Sequence, residues 1–253
     1  MAKPLKVAEL FLAVSLAATV AACAPAITGG DESSEGATTT EAVESNEPIE
    51  SSEGGEGGEG YSEGEQANAD FQDKLSGAEL LTALQAGGHV IYFRHAQTEK
   101  DYADQADPSM SLSDCESQRK LSDVGIQQAK DIGGAFKAKG IPVGDVIASQ
   151  YCRAWQTADL AFGKHEKNPK LNFLPFEDYT DEQVEEMKAN VMPLLTEAPP
   201  AGENKVIVGH DDIFEAATGI YPDPQGIAYV LTPDGSGGFT LQANLLPEEW
   251  AQL

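Results

Sequence analysis

From residue 71 onwards the chain alternates between short apolar runs and amphipathic segments. The apolar runs at 89–93, 145–149, 171–176 and 205–209 have the length and composition of buried strands. Apolar residues at helical spacing fill the intervals between them. Strands that alternate with helices form a mostly parallel sheet covered on both faces. The pattern therefore predicts a three-layer α/β/α sandwich over residues 71–253.

Polar residues mark the expected starts of three helices. Ser76 and Thr180 are each followed three positions later by Glu or Gln, the spacing of a capping box, and Ser122 precedes a run with helical periodicity. Two later apolar runs, 227–231 and 239–243, flank a turn rich in glycine. These two runs predict a β-hairpin at the end of the domain.

The first 22 residues have the features of a secretory signal. Lys3 and Lys6 precede an apolar run that ends at Ala22 and is too short to span a bilayer. The sequence Val-Ala-Ala-Cys at 20–23 resembles the lipobox of bacterial lipoproteins, in which cleavage leaves a lipid-modified cysteine. This resemblance implies lipidation of Cys23 and an extracytoplasmic protein anchored to a bacterial membrane, in the periplasm or at the cell surface.

Residues 23–70 are rich in Gly, Ser, Thr and Glu and poor in aromatic and branched apolar side chains. Such a composition cannot bury enough apolar surface to offset the entropy of ordering the chain. Its like charges also repel one another and extend the segment. We therefore expect a disordered acidic tether between the lipid anchor and the folded domain.

The charge of the whole chain limits its partners. The sequence has 42 acidic and 16 basic side chains, a formal charge of −26. Binding to nucleic acid requires clustered Lys and Arg that neutralise phosphates, and an anionic membrane surface would repel an acidic domain. We therefore expect no nucleic-acid partner and membrane contact only through the lipid on Cys23. The sequence indicates no protein partner.

Histidines and arginines follow three of the predicted strands. Arg94 and His95 come directly after the first strand, His210 directly after the fourth, and Arg153 shortly after the second. The carboxyl ends of parallel strands meet at one edge of a sheet, where ligands bind. Imidazole can carry a phosphoryl group covalently, and guanidinium groups stabilise the charged oxygens of phosphate. These side chains predict a phosphate site.

Three blocks of sequence around these residues resemble the signatures of a known protein family. Arg-His-Ala-Gln-Thr at 94–98, Ser-Gln-Tyr-Cys-Arg-Ala-Trp-Gln-Thr at 149–157 and Val-Gly-His at 208–210 resemble, in order, the signatures of the histidine phosphatase (phosphoglycerate mutase-like) superfamily. The resemblance implies that His95 is the nucleophile and that Arg94, Arg153 and His210 line the phosphate pocket. It implies no metal and no cofactor.

The resemblance leaves the proton donor open and suggests two rim residues. Gln97 and Thr98, within the first block, are candidates for substrate contact. Asp211 directly follows His210, as the catalytic Asp does in the acid phosphatase branch of the family, and it is slightly favoured as the donor. Glu177 and Asp178 fit the mutase-like position of the donor and are the alternatives.

Two cysteines lie within the expected domain. Cys115 and Cys152 would be exposed to an oxidising compartment if the chain is exported, and a disulfide between them is somewhat favoured over two reduced thiols. Spacing alone does not establish the pairing. The sequence has neither His-x-x-x-His nor Cys-x-x-Cys, so no metal site is predicted.

Taken together, the sequence predicts an extracytoplasmic phosphomonoesterase that hydrolyses a small phosphorylated substrate through a covalent phosphohistidine on His95, without metal. The alternative is a non-catalytic envelope module that binds a phosphorylated or anionic glycan in the same pocket. Mutase activity is less favoured, because the signal directs the domain away from phosphorylated glycolytic intermediates.

Overall fold

The structure, a computed structural model, describes residues 62–100, 102–174 and 179–253. The signal sequence, Cys23 and most of the expected tether lie outside these residues, as do Glu177 and Asp178. Among the described residues, no helix is both long enough and apolar enough to cross a bilayer.

The described residues form a six-stranded sheet. Its strands are β1 (Val90–Arg94), β2 (Val143–Ala148), β3 (Glu166–Lys167), β4 (Asn204–Gly209), β5 (Ala228–Pro233) and β6 (Phe239–Leu245). Their order across the sheet is β3-β2-β4-β1-β5-β6. Neighbours from β3 to β1 are parallel, and β5 runs antiparallel to both β1 and β6. The mostly parallel sheet and the terminal hairpin are therefore confirmed.

Helices cover both faces of this sheet. They are α1 (Glu63–Ala69), α2 (Gly77–Ala86), α3 (Asp123–Lys139), α4 (Cys152–Phe162), α5 (Asp181–Thr196) and α6 (Asp211–Thr218). Alternate side chains of each central strand point to opposite faces. In β1, Ile91 and Phe93 pack with α2, α3 and α4, whereas Val90 and Tyr92 pack with α5 and α6. The three-layer α/β/α sandwich is thus confirmed.

Helices begin directly after all three predicted positions, and the predicted side-chain cap forms at two of them. Ser122 Oγ accepts a hydrogen bond from the backbone N–H of Gly125 at 3.0 Å, and Thr180 forms both bonds of its capping box with Gln183. The capping box predicted at Ser76 is wrong, because the Ser76 side chain makes no cap hydrogen bond. Gly77, the first helical residue, has a φ of 50°, so the first turn departs from the geometry that a cap requires.

The third strand lies at a different place from the predicted one. It consists of Glu166 and Lys167, while Pro169–Leu171 forms a short 3₁₀ helix. Leu171 and Phe173 are buried in the core on the α5 side of the sheet. The apolar run therefore marks burial of an irregular segment, a pattern that periodicity cannot distinguish from a buried strand.

The described fold begins before residue 71. Helix α1 starts with a complete capping box between Ser62 and Glu65. It contacts the domain through the Gly64 carbonyl, which accepts a hydrogen bond from the Tyr221 N–H at 3.0 Å, and through Asn68 Nδ2, which donates to the Asp223 carbonyl at 2.8 Å. The described fold therefore includes residues on the N-terminal side of the boundary predicted at residue 70, and these polar contacts hold a segment that has little apolar surface.

Candidate active site

The carboxyl ends of three parallel strands bring the histidines together. In the register of β1 and β4, Arg94 lies opposite Gly209, and the His95 N–H donates to the Gly209 carbonyl at 3.0 Å. On the other side of β4, the Ser149 N–H donates to the Val208 carbonyl at 3.0 Å. These backbone bonds hold the residues that follow β1, β2 and β4 at one edge of the sheet.

Tyr92 fixes the chain at the end of β4. Its hydroxyl donates to the His210 carbonyl at 2.8 Å and accepts from the His210 N–H at 3.0 Å. A Cβ atom on Gly209 would collide with the same hydroxyl, so only glycine allows this close approach. The backbone of His210 is therefore held on both its polar atoms by one buried tyrosine.

His95 presents one ring nitrogen to a pair of guanidinium groups. Its side chain is fully buried, and Nδ1 lies 2.9 Å from the Ala96 carbonyl, a contact that requires a hydrogen on Nδ1. Nε2 lies 3.2 Å from Arg119 Nη2 and 3.2 Å from Arg153 Nε. The hydrogen bonds thus leave the Nε2 lone pair directed at two permanent cations.

The surroundings keep both site histidines neutral. Burial lowers the pKa of His95 well below its ordinary value of 6.5, and the charges of Arg153, Arg119 and Arg94 lower it further. Burial also lowers the pKa of His210, with the same arginines and His95 adding to the effect. A neutral imidazole retains the lone pair that a nucleophile needs.

His210 lies beside His95, with ring centroids 5.5 Å apart. Its Nε2 is 2.8 Å from Ser149 Oγ, and that hydroxyl donates to Asn172 Oδ1 at 2.9 Å. This chain assigns the hydrogen of His210 to Nε2. Its Nδ1 is buried and has no hydrogen-bond partner among the described residues. One ring nitrogen of His210 is therefore held by the protein, and the other is available to a ligand.

A buried carboxylate holds the two arginines that contact His95. Asp104, only 1% exposed, accepts on Oδ2 from Arg153 Nη1 at 2.9 Å and from the Arg119 backbone N–H at 2.8 Å. Arg119 Nη1 also donates to the Tyr102 carbonyl at 3.0 Å, and the Arg153 guanidinium lies 4.9 Å from the ring of Tyr151. Both guanidinium groups are thereby oriented before any ligand binds.

Arg94 contacts the other side of the site. Its Nη2 is 2.5 Å from Asp211 Oδ2, and its Nη1 is 2.9 Å from Asp223 Oδ1 and 3.0 Å from the Pro222 carbonyl. Its charge lowers the pKa of His95, but less than the charges of Arg119 and Arg153 do. In the structure, Arg94 is therefore bound to carboxylates, and Arg119 and Arg153 are the arginines that contact the His95 ring.

A cavity of about 360 Å³ opens beside the two arginines that contact His95, and neither His95 nor His210 is among the described residues that line it. Cations, carboxylates and aromatic rings share its wall, and its lining includes Arg119, Arg153, Asp211, Asp212, Phe173 and Tyr221. Its size suits a small phosphorylated molecule, and the two arginines supply it with guanidinium donors for phosphate oxygens within a strongly acidic protein.

The structure brings together four of the predicted site residues. His95, Arg153 and His210 lie around the same point, and Arg94 lies next to them with Asp211 as its partner. Asp211 also lines the cavity. The other two candidates for the proton donor, Glu177 and Asp178, lie outside the described residues.

The side chains of Gln97 and Thr98 take part in loop contacts. Gln97 is exposed, and its Oε1 accepts from Ser122 Oγ at 3.3 Å. Thr98 is buried, and its Oγ1 donates to the Lys100 carbonyl at 2.8 Å. Neither belongs to the described residues that line the cavity. Their contact with a substrate stays a prediction.

The predicted disulfide is present. Cys115 and Cys152 are bonded, with Cα atoms 5.6 Å apart. Gln118 Oε1 adds a hydrogen bond from the Cys152 N–H at 2.8 Å. Because Cys152 directly precedes Arg153 and Cys115 lies in the loop that carries Arg119, these two links join the two segments that supply the guanidinium groups.

Sequence reasoning missed Arg119 and Asp104. Both belong to the polar loop between β1 and α3, where no periodic pattern marks a functional residue. The composition did contain a signal for Arg119, because the whole sequence has only three arginines. All three act on His95 through contact or charge. Asp104 had no comparable signal, since the sequence is rich in aspartate.

Comparison with known proteins gives both a family match and similar structures. Residues 90–195 match the family model of the histidine phosphatase superfamily (branch 1). No curated protein matches the chain by sequence.

Several solved structures are similar at low identity. The protein histidine phosphatase SixA complexed with tungstate is 16% identical, with a TM-score of 0.47, and the match covers 64% of this chain and 98% of that one. A phosphoglycerate mutase from Bacillus anthracis is 16% identical, with a TM-score of 0.48 and coverage of 66% and 98%. A phosphoserine phosphatase from Entamoeba histolytica is 14% identical, with a TM-score of 0.45 and coverage of 62% and 95%.

The matched segment contains Arg94, His95 and Arg153, the residues that carried the first two blocks of the sequence resemblance. The family match therefore agrees with the resemblance seen in these two blocks, over residues 90–195.

Proposed function

We propose that this protein is an extracytoplasmic phosphomonoesterase that works through a covalent phosphohistidine on His95. One observation carries the proposal: the His95 Nε2 lone pair faces two guanidinium groups at 3.2 Å, next to a cavity. An anion that enters between Arg119 and Arg153 would be held by charge-assisted hydrogen bonds, with its phosphorus atom in reach of Nε2.

The reaction proceeds in two steps. His95 Nε2 attacks phosphorus, the bond between phosphorus and the ester oxygen breaks, and a carboxylic acid gives its proton to the leaving oxygen. Water then attacks the phosphohistidine, the carboxylate takes a proton from that water, and inorganic phosphate leaves with its bond to Nε2 broken. Asp211, Glu177 and Asp178 remain the predicted donors.

The arginines and His210 stabilise the charged phosphoryl group. Arg119 and Arg153 are buried, and their fixed positive charge acts more strongly there than it would in bulk water. Arrival of a phosphate dianion also favours the charged form of a nearby imidazole. His210 can then donate from Nδ1 while Ser149 continues to hold Nε2.

The phosphohistidine can be tested directly on the purified full-length protein in detergent. A brief pulse with a radiolabelled phosphate ester should give a protein-bound label that is lost in acid and stable in alkali. The variant His95→Asn should lose both this label and phosphate release. His165→Asn is the matched control, because His165 stacks on Trp155 away from the site, and it should retain both.

The same experiment distinguishes the alternative function. A wild-type protein that binds inorganic phosphate but forms no label and releases no phosphate would contradict the enzyme. That result would support a module that captures a phosphorylated or anionic glycan.

The proposed location rests on the lipobox resemblance at Cys23. The disulfide between Cys115 and Cys152 supports it, because such bonds persist in oxidising compartments. Cells fed a radiolabelled fatty acid should label the wild-type protein and not Cys23→Ala. Label on the variant, or none on the wild type, would refute the anchor.

A further inference from the structure

Two neighbouring carboxyl groups line the cavity, and their contacts differ. Asp211 Oδ2 accepts from Arg94 Nη2 at 2.5 Å and from the Tyr221 hydroxyl at 2.9 Å. Asp211 Oδ1 accepts from the Asp212 N–H at 3.2 Å. Both oxygens of Asp211 therefore receive hydrogen bonds, and one of them is also the ion-pair partner of the Arg94 guanidinium group.

Asp212 has no cationic partner. Its Oδ2 accepts one hydrogen bond, from the Tyr179 hydroxyl at 3.3 Å. Among the described residues, no Lys, Arg or His nitrogen lies within ion-pair distance of it, and Arg94 is the cation whose charge favours its ionised form. Its side chain is partly buried and lines the same cavity as Arg119 and Arg153.

Negative groups surround Asp212 on its own helix. Asp211 precedes it, and Glu215 lies three residues further along α6. On the α5 side, Lys188 and Tyr179 border a second cavity that Asp212 also lines. The nearby negative charges and the partial burial both favour the protonated form of Asp212.

We propose that Asp212 is the general acid that protonates the leaving oxygen of the substrate. The inference rests on the phosphatase function proposed above and deepens it. When His95 Nε2 displaces the ester oxygen, the proton of Asp212 passes to that oxygen and an alcohol leaves. Asp212 is then a carboxylate, and it recovers a proton from the water that hydrolyses the phosphohistidine.

The titration of Asp212 agrees with this role. Burial raises its pKa to about 7, and the charge of Asp211 adds to the increase. Ordinary aspartate is ionised at neutral pH, whereas a group with a pKa near 7 can both give and recover a proton. Catalysis by a positioned acid typically contributes about 10²- to 10⁴-fold to the rate.

The test compares two phosphate esters of similar size on the full-length protein. The leaving group of para-nitrophenyl phosphate needs little protonation, whereas that of benzyl phosphate, an alkoxide, needs a proton. We expect Asp212→Asn to lower kcat/KM for benzyl phosphate by about 10²-fold or more and that for para-nitrophenyl phosphate by less than about tenfold. Glu186→Gln, which removes an exposed carboxyl from the neighbouring helix α5, should change neither value appreciably.

Two results would overturn the assignment. Equal losses on both esters in Asp212→Asn would indicate a structural role. A selective loss on benzyl phosphate in Asp211→Asn, Glu177→Gln or Asp178→Asn, with Asp212→Asn unaffected, would assign the acid to that other residue.

A pH profile gives a second measurement that a folding defect would not imitate. For the wild type, kcat/KM on benzyl phosphate should fall as pH rises above about 7, because the acid must start protonated. That decline should vanish in Asp212→Asn, and its persistence there would contradict the proposal. Failure of the phosphatase function is distinguishable, because the wild type would then release no phosphate from either ester and carry no label on His95.

Discussion

The Asp104 carboxylate lies 2.9 Å from Arg153 Nη1, and both side chains are almost completely buried. The same oxygen accepts the backbone N–H of Arg119. One residue of the long loop after β1 therefore holds the Arg153 guanidinium group and the backbone of Arg119, and its negative charge offsets part of the positive charge around His95. An ion pair of this kind in the interior is costly to break, because the remaining charge is left without its partner.

Removal of Asp104 should impair both stability and phosphate binding. We expect Asp104→Ala to lower the free energy of unfolding by about 3–5 kcal/mol. This is the usual cost of removing one member of a buried ion pair, because the other charge is then left unpaired in the interior. Urea denaturation measures this change. Asp107→Asn, an exposed aspartate in the same loop, is the control and should cost less than about 0.5 kcal/mol. Equal effects of the two variants would refute this account of Asp104.

Arg119 should contribute to phosphate binding although no sequence block contains it. Arg119→Ala should lower kcat/KM by about 10²- to 10³-fold, the loss found when one donor to a charged transition state is removed. Arg119→Lys should restore only part of it, because a lysine cannot reproduce the planar fork of donors. Inhibition by inorganic phosphate should weaken in parallel.

The neighbouring residue supplies the control for Arg119. Lys120→Ala removes a cation next to it along the chain, but Lys120 pairs with Glu116 on the surface. Its kcat/KM should stay close to that of the wild type. If Lys120→Ala were as defective as Arg119→Ala, the effect would reflect overall charge rather than contact with the phosphate.

The disulfide should stabilise the fold and the site together. Replacing Cys115 and Cys152 by serine opens a loop with a sequence separation of 37, and the loop-entropy model then gives a loss of about 3–4 kcal/mol. We also expect a higher KM, because Arg119 and Arg153 lose the link between their segments. Reduction of the wild type should reproduce both effects and leave the double variant unchanged. A reductant effect on the double variant would show another cause.

The neutral histidines should make stability depend on pH. In the unfolded chain, His95 and His210 take up protons near pH 6.5, whereas in the native protein their pKa values lie well below this. The unfolded state thus binds more protons in that window, so stability should fall as pH decreases from about 7 to about 5. Each histidine contributes at most about 1.4 kcal/mol per pH unit.

Asp212 contributes to the pH dependence of the unfolding free energy with the opposite sign to the histidines. The variant His210→Asn separates the two contributions. The pKa of Asp212 is raised in the native state, so its contribution to stability is present at low pH and lost as pH rises from about 4 to about 7. In His210→Asn, the decrease in unfolding free energy between about pH 7 and pH 5 should shrink. An unchanged decrease would show that His210 is not held neutral.

The apolar runs predicted most of the sheet, because a strand buried on both faces is continuously apolar. This reasoning succeeded for β1 and β4, whose residues are completely or almost completely buried. It failed at 171–176, where Leu171 and Phe173 are buried without belonging to a strand. Apolar patterns also gave no indication of α1, because the polar sequence of this helix is held by contacts to residues more than 150 positions away.

The sequence alone determined which side chains end the strands. A short apolar strand followed by His or Arg places that residue at the carboxyl edge of a parallel sheet whatever the loops do, so His95, Arg153 and His210 could be predicted to meet. The sequence alone does not determine the pairing of the cysteines, since spacing does not establish connectivity.

Only the tertiary structure determined which carboxylates pair with which arginines. Arg94 binds Asp211 and Asp223, while Arg119 takes a place beside His95 that the sequence did not indicate. Asp104 reaches both cation-bearing segments from a loop without periodicity. Ion pairs and hydrogen bonds between distant loops depend on distances that arise only when the chain has folded. Local sequence patterns do not contain information about those distances.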